Sequence, residues 1–349
     1  MTQFLVTQTD TTPCLISIKV MQQGQVLGVI KLTGLGATWV DYLVPDQQGK
    51  ISSIMLGFAS AADYAGEHPY FGSIVGRYAG RIGEATFTLG NDHYRLPKND
   101  NAHCLHGGPD GFHHQTFTTD IRVGADECQV IFSLHSPHGA AGFPGAVDLQ
   151  VVYRIDAQAA VTIDYTATVD RPTVLNLTNH AYFNLKDAGN SSILDHELML
   201  NAAHYVDMDA EGIARRVLPV DAVLDFTRYK KIGQDIEHLT ASRGGYDHCF
   251  ILDTTDTTAA CIREPVSGRQ LTVTTNQPAI VFYSGNFLDS SDAGRGLAPY
   301  AYRHGFCLET QHPIDSANHP YLSQKPAGTV LGAGETYCYW VCYTPAVTD

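Results

Sequence analysis

The stretch VVYRIDAQAAVTIDYTATV, residues 151–169, gives the clearest indication of the fold class of this chain. Two strand-like runs, Val151–Ile155 and Val161–Val169, flank the short polar run Asp156–Gln158. β-branched and aromatic residues in runs of this length indicate strands, and the short polar segment between them predicts a turn. The stretch is therefore predicted to form an antiparallel β-hairpin.

Outward from this hairpin, further strand-like runs follow one another along most of the chain. A second hairpin is predicted where Thr86–Leu89 turns through Gly90-Asn91-Asp92 into His93–Leu96. The other runs are Cys14–Val20, Val26–Leu32, Val130–His135, Val147–Ile155, Leu271–Thr275, Ile280–Phe287 and Thr336–Tyr343. Long stretches of helical period are absent, and only Ser60–Gly66 and Ile232–His238 suggest short helices. Without repeats or a linker, the sequence predicts an all-β chain, a single large antiparallel β-sandwich domain over residues 1–349.

The amino-acid composition and net charge limit the kinds of ligand that this chain is expected to bind. The chain has 349 residues, 44% of them hydrophobic, and 22 Lys and Arg against 36 Asp and Glu give a net charge of −14. Such an acidic chain is unsuited to nucleic acid or to an anionic membrane surface, and it suits a neutral small molecule. The sequence contains no dense cluster of basic residues, which a phosphorylated substrate would need.

Targeting signals and cysteine usage indicate the compartment. The first residues carry no basic start and no extended apolar stretch, so no signal peptide is predicted, and no apolar run is long enough to span a membrane. The 8 cysteines are scattered without a Cys-x-x-Cys pair. They are interpreted as reduced residues of a cytoplasmic protein.

Glu309 stands in the segment RHGFCLETQHP, residues 303–313. The run Phe306–Thr310 is short, apolar and bounded by Gly305 and Pro313, which predicts a buried strand. Strand alternation places Glu309 on the face opposite Phe306, on a rigid element. The segment alone leaves two interpretations open: a structural salt bridge, or a carboxylate with a chemical role.

A glycine-rich run, residues 72–83, carries Arg77 and Arg81 where the backbone can approach a ligand closely. Arginines that bind loop carbonyls are the alternative interpretation. His103 and His106 have a spacing that metal ligands use, but His-x-x-His is weak evidence without further ligands.

Two further segments carry candidate groups. His180 shares one face of a predicted strand with Asn176 and Thr178, and its pKa near 6.5 makes it a candidate general acid or base. A histidine hydrogen-bonded in the core is an equally open interpretation. Asp247 precedes the strand Cys249–Leu252, where an aspartate is often only a turn residue.

Motifs for nucleotide cofactors, phosphate binding and serine hydrolysis are missing from the sequence. What remains is a candidate site without a cofactor, built from one Glu, one Asp, a few His and one or two Arg. This mixture of hydrogen-bonding groups suits a neutral polyhydroxylated ligand, of which a sugar is the obvious example.

Taken together, these segments resemble the aldose 1-epimerase (galactose mutarotase) family, in order and over nearly the whole chain. The stretches that carry the resemblance are GRYAGRI (76–82), LHGG (105–108), GFPG (142–145), TNHAYFNL (178–185), YDH (246–248), FYSGNFL (282–288) and GFCLETQ (305–311). The resemblance implies a β-sandwich of the galactose mutarotase-like type and the interconversion of the α and β anomers of a free hexose.

The resemblance also implies roles for individual residues. Glu309 is expected to act as the general base and His180 as the general acid, while Arg81, His106 and Asp247 hold sugar hydroxyls. No cofactor and no metal are expected. With its pKa near the ordinary value, Glu309 is expected to need little tuning as a base.

Three positions depart from the family pattern. Gly80 stands where members commonly carry Asn, Val281 where they commonly carry Gln, and His103 where they carry Asn. Two of these are losses of hydrogen-bonding groups near the sugar. They predict a changed affinity or a changed preference among hexoses, with His103 as a candidate for compensation.

Other functions stay open at this point. They are a hexose 6-phosphate 1-epimerase, a non-catalytic carbohydrate-binding module, and a glycoside hydrolase that uses Glu309 and Asp247 as its carboxylate pair. The sequence is compatible with a monomer or a homodimer.

Overall fold

The computed structural model describes residues 2–253, 255–292, 294–295, 298–322 and 328–348. In chain order the strands are β1 (Thr2–Gln8), β2 (Leu15–Gln22), β3 (Gln25–Thr33), β4 (Thr38–Pro45), β5 (Ile51–Ser53), β6 (Ile74–Val75), β7 (Arg81–Ile82), β8 (Thr86–Leu89), β9 (Asp92–Arg95), β10 (Cys104–Leu105), β11 (Thr118–Val123), β12 (Glu127–Ser136), β13 (Val147–Asp156), β14 (Val161–Val169), β15 (Thr173–Val174), β16 (Thr178–Asn179), β17 (Tyr182–Phe183), β18 (Glu197–Leu200), β19 (His204–Met208), β20 (Ala214–Pro219), β21 (Lys230–Lys231), β22 (Asp247–Ile251), β23 (Thr258–Glu264), β24 (Arg269–Thr275), β25 (Ala279–Tyr283), β26 (Phe306–Gln311), β27 (Val330–Leu331) and β28 (Thr336–Val347). The helical segments of the described residues are short 3-10 turns at Ala61–Ala65, Gly83–Ala85, Phe112–His114, Ala140–Gly142, Ile236–His238 and Pro320–Leu322.

Three large sheets organise these strands. The nine-stranded sheet has the order β11-β12-β13-β14-β28-β24-β23-β18-β21, the six-stranded sheet β17-β26-β25-β22-β19-β20, and the five-stranded sheet β1-β2-β3-β4-β5. The all-β prediction is confirmed, because the main hydrophobic core combines side chains of all three sheets, as in a sandwich.

The predicted hairpin lies inside the nine-stranded sheet, between β12 and β28. β13 and β14 pair antiparallel, with Val151 opposite Tyr165 and Ile155 opposite Val161. Alternate residues of both strands are buried, and the turn is closed by Asp156 Oδ1, which accepts the amide hydrogens of Gln158 and Ala160 at 2.8 Å. The side-chain period of two therefore fixes which face of this sheet meets the core.

Aromatic rings join the sheets. Trp39 on β4 is fully buried and lies 5.1 Å from the ring of Tyr42, 6.4 Å from Tyr153, 5.9 Å from Phe183 and 5.2 Å from Tyr343. These residues come from three sheets, and the edge-on and tilted ring pairs are favourable geometries for aromatic side chains. The packing gives the six-stranded sheet a rigid support.

Several predicted elements differ from the observed ones. The strand predicted at Ile280–Phe287 ends at Tyr283, because Gly285 takes a φ of +71° and the Phe287 amide donates to Tyr283 Oη at 2.7 Å. The helix predicted at Ile232–His238 is reduced to a 3-10 turn at Ile236–His238. At Ser60–Gly66 a 3-10 turn over Ala61–Ala65 is present, capped by Ser60 Oγ.

The single strand predicted around Asn176, Thr178 and His180 is interrupted. Thr178–Asn179 pairs with Ile74–Val75, whereas Tyr182–Phe183 pairs with β26 of the six-stranded sheet. His180 lies between these two short strands, at the point where the chain changes partner.

The second hairpin is present with a tighter turn than predicted, since Asp92 pairs with Leu89. Between β25 and β26, the described residues of segment 289–304 form no strand, and residues 293, 296 and 297 lie outside the described residues. Among the described residues, no helix is long and apolar enough to cross a membrane.

Candidate active site

A pocket of about 270 Å³, here called the inner pocket, lies against the six-stranded sheet and is lined in part by side chains of β17, β26, β25 and β22. Every one of the predicted site residues lines it, namely Arg81, His106, His180, Asp247 and Glu309. They are up to 228 residues apart in the chain, counted as 309 − 81, and only the fold brings them together. The pocket therefore concentrates most of the polar groups that the sequence singled out.

Glu309 projects from β26 into this pocket. Phe306 and Leu308, on the other face of the strand, belong to the main hydrophobic core, so the predicted alternation is confirmed. Glu309 is only 4% exposed, and Val281 of β25 is its partner in the strand register. A side chain on a central strand between two neighbours is held in a narrow range of positions.

His180 faces Glu309 across a short distance. Its Nε2 atom lies 3.6 Å from Glu309 Oε1, and its Nδ1 atom lies 3.5 Å from Cys307 Sγ. The imidazole stacks on the rings of Tyr70 and Tyr182, with centroids 5.6 and 5.1 Å away. Packing on two aromatic rings fixes the orientation of the ring toward the carboxylate.

Burial shifts the pKa of both groups. Burial raises the pKa of Glu309 well above its usual value, and the neighbouring Asp247 raises it further. Burial also lowers the pKa of His180 to about 4. The expectation that Glu309 titrates near its ordinary pKa is therefore wrong, because a buried carboxylate beside another carboxylate is costly to ionise.

His106 presents a hydrogen-bond donor to the pocket. The backbone amide of Gly80 donates to His106 Nδ1 at 3.2 Å, so the proton of the neutral ring is on Nε2. Burial, followed by the charges of His180 and Arg81, lowers the pKa of His106 well below its usual value. The ring is thus held as a neutral donor, which suits a sugar hydroxyl.

His106 and His180, together with Glu309, also have the spacing of metal ligands. Within the described part of the chain, ligand atoms of His106, His180 and Glu309 lie within 4.8 Å of one another. A metal needs a lone pair from each imidazole, whereas the Gly80 amide already occupies Nδ1 of His106 and leaves an N–H on the other nitrogen. The donor set fits a hydroxylated ligand better than a metal ion.

Arg81 and Asp247 complete the polar wall. Arg81 Nε donates to Asp100 Oδ2 at 2.7 Å, which orients the guanidinium. The pKa of Asp247 is raised by burial, and Asp100 adds to this effect while Arg81 opposes it. This wall therefore offers a ligand both a guanidinium donor and carboxylate acceptors.

The two arginines of the glycine-rich run serve different purposes. Arg77 is 2% exposed and donates to the carbonyl oxygens of Ser136, Pro137, Pro144 and Gly145 at 2.7–2.9 Å. The structural interpretation is correct for Arg77, whereas Arg81, four residues on, lines the pocket.

His103 does not join His106. Its Nδ1 accepts the Glu84 amide at 3.0 Å and its Nε2 lies 2.6 Å from Glu211 Oε2. It is not among the residues that line the inner pocket, so its position does not support compensation by His103 for the Asn and Gln side chains that Gly80 and Val281 replace.

Several lining residues were not singled out from the sequence. They include Tyr70, Asp100, Tyr182, Phe287 and Gln311. Gln311 could have been found, because it shares the strand face of Glu309. Asp100 and Tyr70 lie in irregular segments that give no periodic signal.

Comparisons with known proteins identify the relatives. The family model for aldose 1-epimerase matches residues 21–344. Galactose mutarotase of Mus musculus is 38% identical over 88% of this chain and 88% of its own length, and aldose 1-epimerase of Escherichia coli is 35% identical over 88% and 89%. Among solved structures, galactose 1-epimerase from Lactobacillus acidophilus superposes with a TM-score of 0.82 at 26% identity, covering 100% of this chain and 99% of that one.

A β-sandwich with a polar pocket of this composition defines a carbohydrate-active protein of the galactose mutarotase-like fold. The match over nearly the full length makes the assignment more specific. The chain belongs to the aldose 1-epimerase family, and it is an isomerase of that class.

Proposed function

We propose that this chain interconverts the α and β anomers of a free hexose such as glucose or galactose, with Glu309 as base and His180 as acid. The observation that carries the proposal is the 3.6 Å separation of Glu309 Oε1 and His180 Nε2 inside a pocket lined by hydrogen-bonding side chains. A base and an acid this close together can reach two oxygens bonded to the same carbon, which is what a hemiacetal requires.

The proton transfers balance within the pair. Glu309 as carboxylate takes the proton of the C1 hydroxyl while His180 as imidazolium gives a proton to the ring oxygen. The C1–O bond to the ring breaks, and an open-chain aldehyde forms. Rotation about C1–C2 presents the other carbonyl face, and reclosure returns both protons.

Burial tunes this pair. The carboxylic acid with a neutral imidazole is the form after ring opening, and burial favours it because neither group is then charged. The close approach of opposite charges favours the carboxylate with imidazolium before ring opening. Burial and the close approach of opposite charges therefore act in opposite directions on this pair, and the reaction uses both of its forms.

Arg81, His106 and Asp247 hold the other hydroxyls and keep the open-chain sugar in place. His106 donates from Nε2, Asp247 accepts, and Arg81 donates from a guanidinium oriented by Asp100. Retention of the intermediate turns reclosure into an intramolecular step.

The test is polarimetry on freshly dissolved α-D-glucose and α-D-galactose. The native protein is expected to speed the drift to anomeric equilibrium beyond the rate in buffer, and Glu309→Gln is expected to abolish the gain. Binding of the sugars by calorimetry without any acceleration would favour a carbohydrate-binding module. Acceleration with glucose 6-phosphate alone would favour a phosphosugar epimerase, and reducing sugar released from a disaccharide would favour a hydrolase.

We also propose that residues 1–349 work as one domain, as a monomer or homodimer in the cytoplasm. In support, the main core includes Phe4 near one end and Tyr343 near the other. All 8 cysteines are free, which suits a reducing compartment. Sedimentation analysis and protease digestion test the oligomeric state and the domain count.

A further inference from the structure

Both ring nitrogens of His180 contact the same strand, β26. Nε2 lies 3.6 Å from Glu309 Oε1, and Nδ1 lies 3.5 Å from Cys307 Sγ. Cys307 and Glu309 are alternate residues of this strand, so their side chains leave it on one face, about 6–7 Å apart along the strand. One rigid element therefore sets the positions of both partners of the imidazole.

Cys307 is a neutral thiol outside the inner pocket. It is fully buried and does not line the pocket, so it does not contact a sugar held there. Burial raises the pKa of its thiol well above the usual value, and the charges of Glu309 and Asp247 raise it further. The thiol thus keeps its proton at physiological pH and offers one weak donor and one weak acceptor. Any effect of Cys307 on the reaction passes through His180.

The proposed proton transfers need one particular tautomer of His180. Nε2 gives its proton to the ring oxygen and takes it back on reclosure, so Nδ1 must hold a proton throughout. A neutral ring with its proton on Nε2 instead could not receive a proton there. The group that faces Nδ1 decides which tautomer is present. An acceptor at Nδ1 therefore favours the tautomer that the reaction uses.

We propose that Cys307 is a positioning residue, whose sulfur accepts a hydrogen bond from Nδ1–H of His180 and holds the ring in the tautomer that turnover requires. This proposal rests on the proposed function, because it needs His180 to act as the acid. A thiol is a weaker acceptor than the carboxylate or carbonyl that often binds a histidine at this nitrogen, so it stabilises the imidazolium only slightly. The sulfur fixes the tautomer and leaves His180 a strong acid.

Titratable groups from several other elements also surround the ring of His180. They are Tyr70, Tyr182, His68, His106, His113 and Glu309. The tyrosines stack on the faces of the ring, and Glu309 lies at Nε2. Burial lowers the pKa of the other three histidines, so they are neutral at physiological pH. Among the described side chains, the polar contact at Nδ1 is with Cys307.

The backbone carbonyl of His180 itself competes with the sulfur for the Nδ1 proton. It favours the protonated ring and raises the pKa of His180, against the larger effect of burial, which lowers it. This oxygen already accepts the amide hydrogen of Gly72 at 2.9 Å. Removal of the sulfur alone distinguishes the two acceptors, because the carbonyl stays in place.

NMR of protein with isotope-labelled histidine measures the tautomer directly, and loss of a signal in His180→Asn assigns it. At neutral pH and without sugar, we expect Nδ1 of native His180 to carry a proton and Cys307→Ala to show a mixture of both tautomers. A native ring with its proton only on Nε2 would overturn the proposal, since the thiol would then be the donor. An unchanged tautomer in Cys307→Ala would also overturn it, since the carbonyl would then suffice.

Kinetics with α-D-glucose test whether the tautomer matters for turnover. Cys307→Ala is expected to lower kcat about three- to tenfold, the effect of one hydrogen bond, and to leave KM unchanged because the thiol is outside the pocket. Cys307→Ser keeps an acceptor and is expected to restore most of kcat. A hydroxyl is the stronger acceptor, so it raises the pKa of His180, and the fall of kcat/KM at low pH is expected to begin at a higher pH.

Cys249→Ala and Cys249→Ser are the matched controls, because Cys249 is also fully buried in the six-stranded sheet and does not line the inner pocket. Both are expected to leave kcat, KM and the pH profile unchanged, and denaturant unfolding compares the stability lost by the two alanine variants. Equal kcat in the native protein and Cys307→Ala would overturn the role of the thiol and leave the proposed function intact. Absence of hexose turnover by the native protein would overturn both.

Discussion

The Nε2 atom of His180 lies 3.6 Å from Oε1 of Glu309, and both side chains are buried, with Cys307 and Asp247 nearby. Glu309 lies on β26, whereas His180 lies between β16 and β17, where the chain changes its pairing partner. In the proposed reaction the two residues act as a unit. Substitution of either one then removes most of what the pair contributes.

The first prediction concerns this unit. We expect Glu309→Gln and His180→Asn each to lower kcat about 10²- to 10⁴-fold, the range for one positioned proton transfer. We expect the double variant to be little worse than either single one, because residues that act together are not additive. Polarimetry with rates corrected for the buffer measures this. His135→Asn is the control, since His135 also pairs with a carboxylate, Asp148, but both side chains are exposed. If the loss of kcat in the double variant equalled the product of the two single losses, Glu309 and His180 would act independently and the prediction would be wrong.

The second prediction concerns pH. The pair is active with one proton, so kcat/KM falls as the pH drops through the pKa of His180, about 4, where the pair gains a second proton. It falls again on the alkaline side as Glu309, with its raised pKa, loses the proton of the pair.

Asp247→Asn is expected to affect only the fall of kcat/KM at high pH, here called the alkaline limb, and not the fall at low pH, the acid limb. The charge of Asp247 raises the pKa of Glu309, so its removal is expected to move the alkaline limb to lower pH. The acid limb is set by burial of His180 and is expected to stay in place. The pH profile of kcat/KM is the measurement, and an alkaline limb that stays in place or moves upward would refute the assignment to Glu309.

A third prediction distinguishes the two arginines. Arg77→Met leaves several buried carbonyls without donors, at about 1–3 kcal/mol each, so we expect a loss of about 3 kcal/mol or more in the free energy of unfolding. Arg81→Met is expected to leave that free energy nearly unchanged and to raise KM about tenfold, since Arg81 lies in the pocket wall. Denaturant unfolding and saturation kinetics measure both, and equal effects on stability would contradict the distinction.

The sequence predicted local order well and long-range placement poorly. Period-two alternation placed Glu309 on the correct face of its strand, because neighbours along a strand decide which side is buried. It could not reveal that the chain changes sheet at His180, because this depends on pairing with Ile74–Val75 and with Cys307. Asp100 was missed for a similar reason, since a loop aspartate acquires its importance only through Arg81.

The last prediction tests the two departures from the family pattern inside the pocket. Gly80 has a φ of +78°, and an added Cβ would meet Ile314 Cγ1 at 3.2 Å and Gln311 Nε2 at 3.4 Å. Asn is among the residues that tolerate this backbone region, and the two neighbours are side chains that can yield slightly. Val281 lines the pocket beside Glu309, so a longer amide side chain at this position would add a hydrogen-bonding group to the pocket wall.

We therefore expect Gly80→Asn with Val281→Gln to fold and to change the relative kcat/KM among glucose, galactose and maltose, because it adds hydrogen-bonding groups to an apolar part of the wall. Gly80→Ala with Val281→Leu is the matched control, since it adds bulk without such groups. A shift in the first variant but not in the second would attribute the preference of this chain to the missing amides. Unchanged ratios in the first variant would mean that the sugar does not contact this part of the wall, and that its specificity comes from Arg81, His106 and Asp247 instead.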